Sequence, residues 1–471
     1  MFVISTNTHS FFFNQCFKQN LISSQTLIKN AFCSKFCNFT YCHLMYLFVV
    51  YEVSFFTFRL FCMLRKSFIA FIFSSFYLCT DAQIPGFFMK KGVKKIEIPF
   101  ERQDNFIIVK VLFQGLFPLR FIFDTGAEHT ILTKKEITNL LRVTYEREIT
   151  IMGTDMRTEV KAYIARKMRM ELENLTLVKD ILVLDDDYFK FEQFSGLEIH
   201  GILGSEVFKG HVIKIDYVKQ LISVYDPSVF KESDHRKYEE YPVQIVRSKP
   251  YLMVNAQINS DTVVPLKLLI DTGASLALLL HTYSTPGLVM PTQVIKGNIG
   301  NGLGGQIEGY MGRLNKLSIG NFNLGNVISH FQELINQADS TYLNQRNGLI
   351  GNEILYRFNF IIDFNKERIY FQPNKYFKNS FEYDKSGLII VAGGKSLDKF
   401  TVYDVLPNTP AFEANILRGD EIVRINSLPT RFFTLGVLND KFQGKVGKKV
   451  KVTLLREGKK IVKTIILRNL I

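Results

Sequence analysis

Beyond residue 79 the sequence has no cysteine: all six, Cys16, Cys33, Cys37, Cys42, Cys62 and Cys79, lie in the first 79 residues of a 471-residue chain. The folded part is therefore not a disulfide scaffold, a zinc ribbon, a thiol enzyme or the holder of a Cys-ligated cluster. The eight histidines form no HExxH or other close ligand pair, so no metal site is implied, and no cofactor either. A Gly-x-Ser-x-Gly nucleophile setting is also missing. With 13 prolines, 22% charged and 47% hydrophobic residues, the chain is neither disordered nor fibrous. Its length suggests a globular protein of about three domains, at roughly 100–200 residues each.

Residues 1–62 are rich in Phe, Asn, Cys and Ser, with no helical or strand period. A second start follows at Met63. Arg65 and Lys66 form a positive region, 67–79 an apolar core, and Thr80-Asp81-Ala82 a cleavage site before Gln83. The pattern predicts a signal peptide over 63–82, a mis-assigned start that leaves 1–62 outside the true protein, and an exported chain, periplasmic or secreted. Residues 42–62 and 68–78 are the competing membrane segments. Glu52 and Arg59 interrupt the first, and the second is too short to span about 30 Å of hydrocarbon. Membrane association would follow only if this region stayed attached. No lipobox precedes Cys79.

The most informative feature is an ungapped repeat. Asp124-Thr125-Gly126-Ala127 recurs as Asp271-Thr272-Gly273-Ala274, an offset of 147. The same shift carries Pro118-Leu119 onto Pro265-Leu266, Gly153 onto Gly300, Tyr163 onto Tyr310 and Arg166 onto Arg313. It carries Gly201-Ile202-Leu203-Gly204 onto Gly348-Leu349-Ile350-Gly351, and Ile215-Asp216-Tyr217 onto Ile362-Asp363-Phe364. Two copies of one fold therefore stand in tandem, over 95–233 and 242–375. Short β-branched and aromatic runs at 106–113, 119–123, 252–258 and 266–270 predict strands, with a turn at Asn259-Ser260-Asp261. Helical periodicity is confined to stretches such as 133–141. Segments 226–242 and 373–386 are predicted linkers.

An Asp-Thr-Gly turn after a buried strand puts a carboxylate where Gly lets other backbone approach closely. One such turn is ordinary. Two at matched places in a duplicated fold predict a pseudo-twofold axis that brings Asp124 and Asp271 face to face. Carboxylates about 3 Å apart do not both ionise cheaply, so they share a proton. One then serves as base toward a water and the other as acid toward a carbonyl oxygen, which suffices for amide hydrolysis.

These residues meet a known family. Phe121-Ile122-Phe123-Asp124-Thr125-Gly126-Ala127 and Leu268-Leu269-Ile270-Asp271-Thr272-Gly273-Ala274 resemble the active-site strands of retroviral-type aspartic proteases. Ile202-Leu203-Gly204 and Leu349-Ile350-Gly351 resemble the hydrophobic-hydrophobic-Gly motif that supports the active-site loop. The run with Gly300, Gly302, Gly304 and Gly305 looks like the flap that closes over substrate. The resemblance covers about 95–375 and implies an all-β, bilobal acid protease of two retropepsin- or pepsin-like lobes. It implies Asp124 and Asp271 as the catalytic dyad, with Thr125 and Thr272 locking the loops together. Gly126 and Gly273 would leave room for a water and the substrate backbone. A peptide or protein substrate follows, and a monomer would suffice because both lobes lie in one chain.

The chain also departs from that pattern. In pepsin-like enzymes a Ser or Thr usually follows DTG and donates to the aspartate. Ala127 and Ala274 lack that donor, which predicts a less acidic optimum. The first-lobe flap candidate, Ile151-Met152-Gly153-Thr154-Asp155, lacks the glycine run, so either the lobes divide labour or only the second flap closes. Glu128 opposite Ser275 is a further asymmetry with no sequence-level meaning.

Residues 380–471 differ in character. Val405-Leu406-Pro407-Asn408-Thr409-Pro410-Ala411, a helical run to Asn415-Ile416-Leu417, and Arg418-Gly419-Asp420-Glu421-Ile422-Val423-Arg424-Ile425-Asn426 resemble a bacterial PDZ domain, a β fold with two short helices. Asn415 stands where Gly is usual and tolerates the left-handed conformation. By that resemblance Gly387, Leu388, Ile389 and Ile390 form the carboxylate loop and the strand edge to which a C-terminal peptide adds. The competing reading is that the module merely packs against the lobes, and the alternative for the chain as a whole is a catalytically inactive peptide-binding protein that keeps the fold and works through the PDZ domain. It has 16 basic and 9 acidic residues, but no interleaved aromatics, so nucleic acid is not a partner. His129 and His281 do not share the 147 offset and read as surface or packing residues. Asp185-Asp186-Asp187 reads as a solvated loop.

Overall fold

The computed structural model describes residues 93–154, 157–258, 262–333 and 346–471. The proposed leader and everything before it lie outside these, as do Asp155 and the turn at 259–261. Among the described residues, no helix is long and apolar enough to cross a membrane.

Each lobe is a strongly bent sheet built from strands that alternate buried and exposed side chains. In Phe106–Phe113, Val109, Val111 and Phe113 are buried while Lys110 and Leu112 face out. The first-lobe path runs Phe106–Phe113, Phe117–Asp124, Gly201–Gly204, Ile131–Leu132, Leu175–Leu184, Glu159–Leu172, Tyr145–Met152, preceded by the edge strand Glu101–Gln103. The second-lobe path has the same order: Lys249–Gln257, Val263–Ile270, Gly348–Ile350, Leu278–Thr282, Phe322–Glu333, Gly305–Ile319, Val294–Gly302. Both are closed by pairing the first strand with the sixth.

The lobes are joined by a shared sheet. Lys95–Pro99, Leu221–Tyr225 and Val212–Asp216 from the first lobe continue into Phe358–Asp363, Arg368–Pro373 and Glu239–Val246. At the junction Lys214 pairs with Ile361 in an antiparallel register. Those two are equivalents under the 147 offset, so the pseudo-twofold axis passes between them. Tyr217, Phe358, Phe360 and Phe371 pack beneath this sheet, all at most 1% exposed. Each such side chain contributes about 1.5–3 kcal/mol by leaving water.

The predicted helix at 133–141 is Lys135–Leu140. It has no counterpart in the second lobe, where the offset places Pro286 and Gly287 at its end. The first predicted linker needs correction. Within 226–242, residues Glu239–Pro242 are a strand paired with Arg368–Phe371, because Tyr241 completes the aromatic layer against Phe371. Segment 373–386 has no regular structure but is not a solvated tether. Arg357, fully buried, donates to the carbonyls of Asn379 and Ser380 and lies 3.8 Å from the Phe381 ring.

The C-terminal sheet runs Leu388–Gly393, Lys399–Val405, Glu421–Ile425, Lys449–Arg456, Lys459–Ile466, with the short strand Leu428–Pro429 beside Glu421–Ile425. Helices Pro410–Glu413 and Leu435–Asp440 accompany it around a separate core that includes Phe400, Ile422, Leu438 and Phe442. Asn415 takes φ +53, closing the turn after the first of these helices.

Candidate active site

Asp124 ends the strand Phe117–Asp124, and Asp271 follows directly on Val263–Ile270. Each strand is held in parallel register by the supporting motif of its lobe: Asp124 pairs with Gly204, and Ile270 pairs with Ile350. Gly204 and Gly351 have no room for a side chain. A Cβ on Gly204 would sit 2.6 Å from the carbonyl oxygen of His129, and one on Gly351 2.2 Å from that of Leu276. Ile202, Leu203, Leu349 and Ile350 are buried beneath the two loops.

The two loops meet at the axis. The Thr125 amide donates to Thr272 Oγ1 at 3.0 Å, and the Thr272 amide to Thr125 Oγ1 at 3.1 Å. Thr125 Oγ1 donates onward to the Ile270 carbonyl at 2.6 Å and Thr272 Oγ1 to that of Phe123 at 2.8 Å. Both threonines are at most 1% exposed, so these bonds form away from water and leave no polar atom of the hydroxyls unanswered.

This lock presses each carboxylate against the opposite loop. A Cβ on Gly126 would lie 2.6 Å from Asp271 Cγ, and one on Gly273 2.2 Å from Asp124 Cγ. Only glycine fits at either position. Asp124 Oδ1 accepts from the Gly126 and Ala127 amides at 2.6 and 3.0 Å, and Asp271 Oδ1 from the Gly273 amide at 2.9 Å. Both aspartates are half-buried.

Burial and the facing Asp271 carboxylate push Asp124 well above the ordinary carboxylate range, against the two amide donors. Burial also raises Asp271, but the Arg346 cation, the hydrogen bond from Asp124 and the amides of its own loop oppose the rise. Two carboxylates so placed do not both ionise cheaply, so they titrate as a unit.

Two hairpins extend from the lobes. The second runs Val294–Gly302 to Gly305–Ile319, with Gly304 and Gly305 at φ +103 and +110 in the turn. Gly300 has open space around its α-carbon, and its amide donates to Asn298 Oδ1 at 2.8 Å. The first hairpin, Tyr145–Met152 with Glu159–Leu172, forms without a glycine run, its tip closed by the Gly153 amide on the Thr158 carbonyl at 2.8 Å. The two tips touch. Thr154 donates to the Leu303 carbonyl through its amide at 2.5 Å and its hydroxyl at 3.0 Å. A Cβ on Gly302 would fall 2.0 Å from Thr154 Oγ1, so a side chain there would displace the Thr154 hydroxyl where the tips cross. Leu303 packs on the first lobe's apolar cluster with Ile131, Val160 and Ile202.

Several contributors escaped the sequence reading. Ser205 and Asn352, which follow the supporting glycines at the same offset, tie the loops from below. The Ser205 amide and hydroxyl both donate to the Ala127 carbonyl at 2.9 Å. The Asn352 amide donates to the Ala274 carbonyl at 2.7 Å and its Nδ2 to that of Thr272 at 2.5 Å. Tyr217 of the first lobe donates to Asn352 Oδ1 at 2.6 Å. The matched offset was the available signal. The Glu128/Ser275 asymmetry also acquires a meaning: Glu128 lies 3.9 Å from Arg247 of the other lobe, and the Ser275 carbonyl accepts from Asn105 Nδ2 at 3.1 Å.

The residues set aside fall as follows. His281 is buried, and burial holds it neutral by pushing its pKa down to about 3. His129 is exposed and bonds Glu206 at 2.8 Å. Asp185 pairs with Lys135. In the C-terminal module Leu388 and Ile390 bury their side chains in its core, Ile389 is half-exposed, and the Gly387 amide donates to Asp384 Oδ1 at 2.7 Å.

No curated protein matches the sequence. Two stretches, 109–207 and 254–354, match the family described as aspartyl protease, one on each lobe, and 371–467 match the PDZ domain family. The second match starts before residue 380, taking in the end of the Arg368–Pro373 strand and the packed segment after it. The chain is accordingly a tandem of two retropepsin-like aspartyl protease lobes followed by a C-terminal PDZ domain.

Proposed function

We propose that the protein is an aspartic endopeptidase whose catalytic pair is Asp124 and Asp271. The observation that carries this reading is the reciprocal Thr125–Thr272 lock, which sets each carboxylate against the opposite glycine and leaves the pair sharing a proton.

Asp271, the more readily ionised member, takes a proton from water as the water oxygen bonds to the scissile carbonyl carbon. Asp124 gives its proton to the carbonyl oxygen. The resulting diol collapses when Asp271 passes its proton to the amide nitrogen, a diol hydroxyl returns a proton to Asp124 and the C–N bond breaks, so no covalent enzyme intermediate forms. The hairpin tips, joined through Thr154 and Leu303, cover the substrate and must part to admit it. Apolar clusters beside Ala127 and Ala274 favour hydrophobic side chains flanking the cleaved bond.

One chain supplies both halves, so the active species is a monomer. The PDZ domain supports peptide or protein binding. Export is proposed from the sequence of 63–82 alone; N-terminal sequencing of the protein recovered outside the cell should begin at Gln83, and an intact leader there would refute it. Peptide cleavage by the wild type, with loss of at least about a thousandfold in Asp124→Asn and in Asp271→Asn, tests the enzyme reading.

A further inference from the structure

The strand Leu388–Gly393 ends the PDZ sheet, and the helix Leu435–Asp440 runs beside it. A guest peptide adds to such an edge as an extra strand and sets its carboxylate in the amide loop that precedes it. Both places are already taken by this chain.

In the loop, the Ser386 and Gly387 amides donate to Asp384 Oδ1 at 2.9 and 2.7 Å, and the Ser386 hydroxyl bonds the same carboxylate. Gly387 has φ +81, and a Cβ there would fall 2.3 Å from Thr409 Oγ1, so the loop has no slack. At the edge, the first-lobe helix Phe191–Ser195 packs on Leu388–Gly393. Gly196, at φ +67, is inserted between the walls of the groove: its Cβ would lie 2.8 Å from Leu435 Cβ and 3.6 Å from Ala392 Cβ. Phe194 meets Tyr403 edge-on, with ring centroids 5.2 Å apart. Next to this cap, the turn at Asp104 presses on the helix, where a Cβ on Gly436 would sit 2.2 Å from Asp104 Oδ1. Among the described residues no backbone hydrogen bond joins 191–196 to the strand, so the cap is a close-packed cover and not an added strand.

We propose that the PDZ groove of this chain has the first protease lobe as its ligand: residues 191–196 cover the strand edge, Asp384 fills the carboxylate loop, and a free C-terminal peptide enters only after the lobe lets go. The inference rests on reading 386–390 as the PDZ groove. The turn beside the cap also reaches the second Asp-Thr-Gly loop, where Asn105 Nδ2 donates to the Ser275 carbonyl, so it touches both the PDZ helix and the candidate active site.

The test uses the full chain and needs no peptidase activity. Hydrogen exchange of 388–393 is compared in the wild type, Phe194→Ala and Tyr403→Ala, which loosen the contact from opposite sides, with 117–124 as the internal reference. Exchange at 388–393 should rise at least about tenfold in both variants while the reference stays unchanged; protection unchanged in both overturns the proposal. A labelled hexapeptide ending in valine, as free acid and as amide, supplies the second readout by anisotropy. The variants should bind it at least about tenfold more tightly than the wild type, with little preference for the acid because Asp384 remains in place. Equal affinity in wild type and variants, or a strong preference of the wild type for the acid, also overturns it. If the peptide binds no form, the exchange result alone decides. Adding Asp271→Asn should change none of these outcomes, which separates this claim from the enzyme reading.

Discussion

At the scale of single residues, the candidate active site depends on buried hydrogen bonds between its two loops. Thr125→Val keeps the shape but removes the acceptor of the Thr272 amide and the donor to Ile270. Leaving those buried groups unanswered should cost about 1–3 kcal/mol each, seen as a lower melting temperature. The carboxylates act in the opposite sense. Because Asp124 is held above its free value of 3.8, the folded state is not penalised below that pH and loses stability as pH rises through the raised pKa. Asp124→Asn should therefore raise the melting temperature at pH 7 and leave it unchanged near pH 3.5; an equal gain at both would contradict the shared-proton account. Ala127→Ser restores a hydroxyl donor to the ionised form and should move the alkaline limb of the pH–rate profile down by about one unit. The aspartates, threonines and glycines of both loops stood out in the sequence because each recurs at one offset. Glu128 with Arg247, and Asn105 with Ser275, did not, since each joins non-equivalent positions of different lobes and leaves no local pattern.

At the scale of elements, alternation of buried and exposed positions made most strands readable, and the repeat gave their order twice. What alternation did not reveal was pairing over long separations. Glu239–Pro242 reads as a polar linker because Glu239 and Glu240 make it charged and its partner strand is over 120 residues away. The five-residue helix Phe191–Ser195, flanked by Lys190 at φ +49 and Gly196 at φ +67, is too short for helical periodicity to register. The first flap was readable as a segment but not as a working hairpin, because Thr154 meets its partner only across the axis. Gly302→Val should part the tips and lower kcat/KM by about tenfold or more with little change in melting temperature. A variant with wild-type kcat/KM would show that the tip contact is not used.

At the scale of the whole molecule, two copies of one lobe are fixed by a continuous sheet below and a threonine lock above, and the PDZ domain is anchored to the second lobe through Arg357. Arg357→Ala removes a buried guanidinium with its hydrogen bonds to the Asn379 and Ser380 carbonyls and its packing on Phe381, and should cost at least about 2 kcal/mol in thermal or denaturant unfolding. The duplication was legible because its offset has no gap. The placement of the PDZ domain was not, because it depends on surface shape in 191–196 and 104–105. Everything functional rests on the two halves presenting one proton-sharing carboxylate pair. The most direct measurement is cleavage of a peptide library from pH 3 to 8 by the purified protein beside Asp124→Asn and Asp271→Asn. The account predicts a bell-shaped profile for the wild type and no turnover in either variant at any pH; sustained cleavage by either single variant would contradict it.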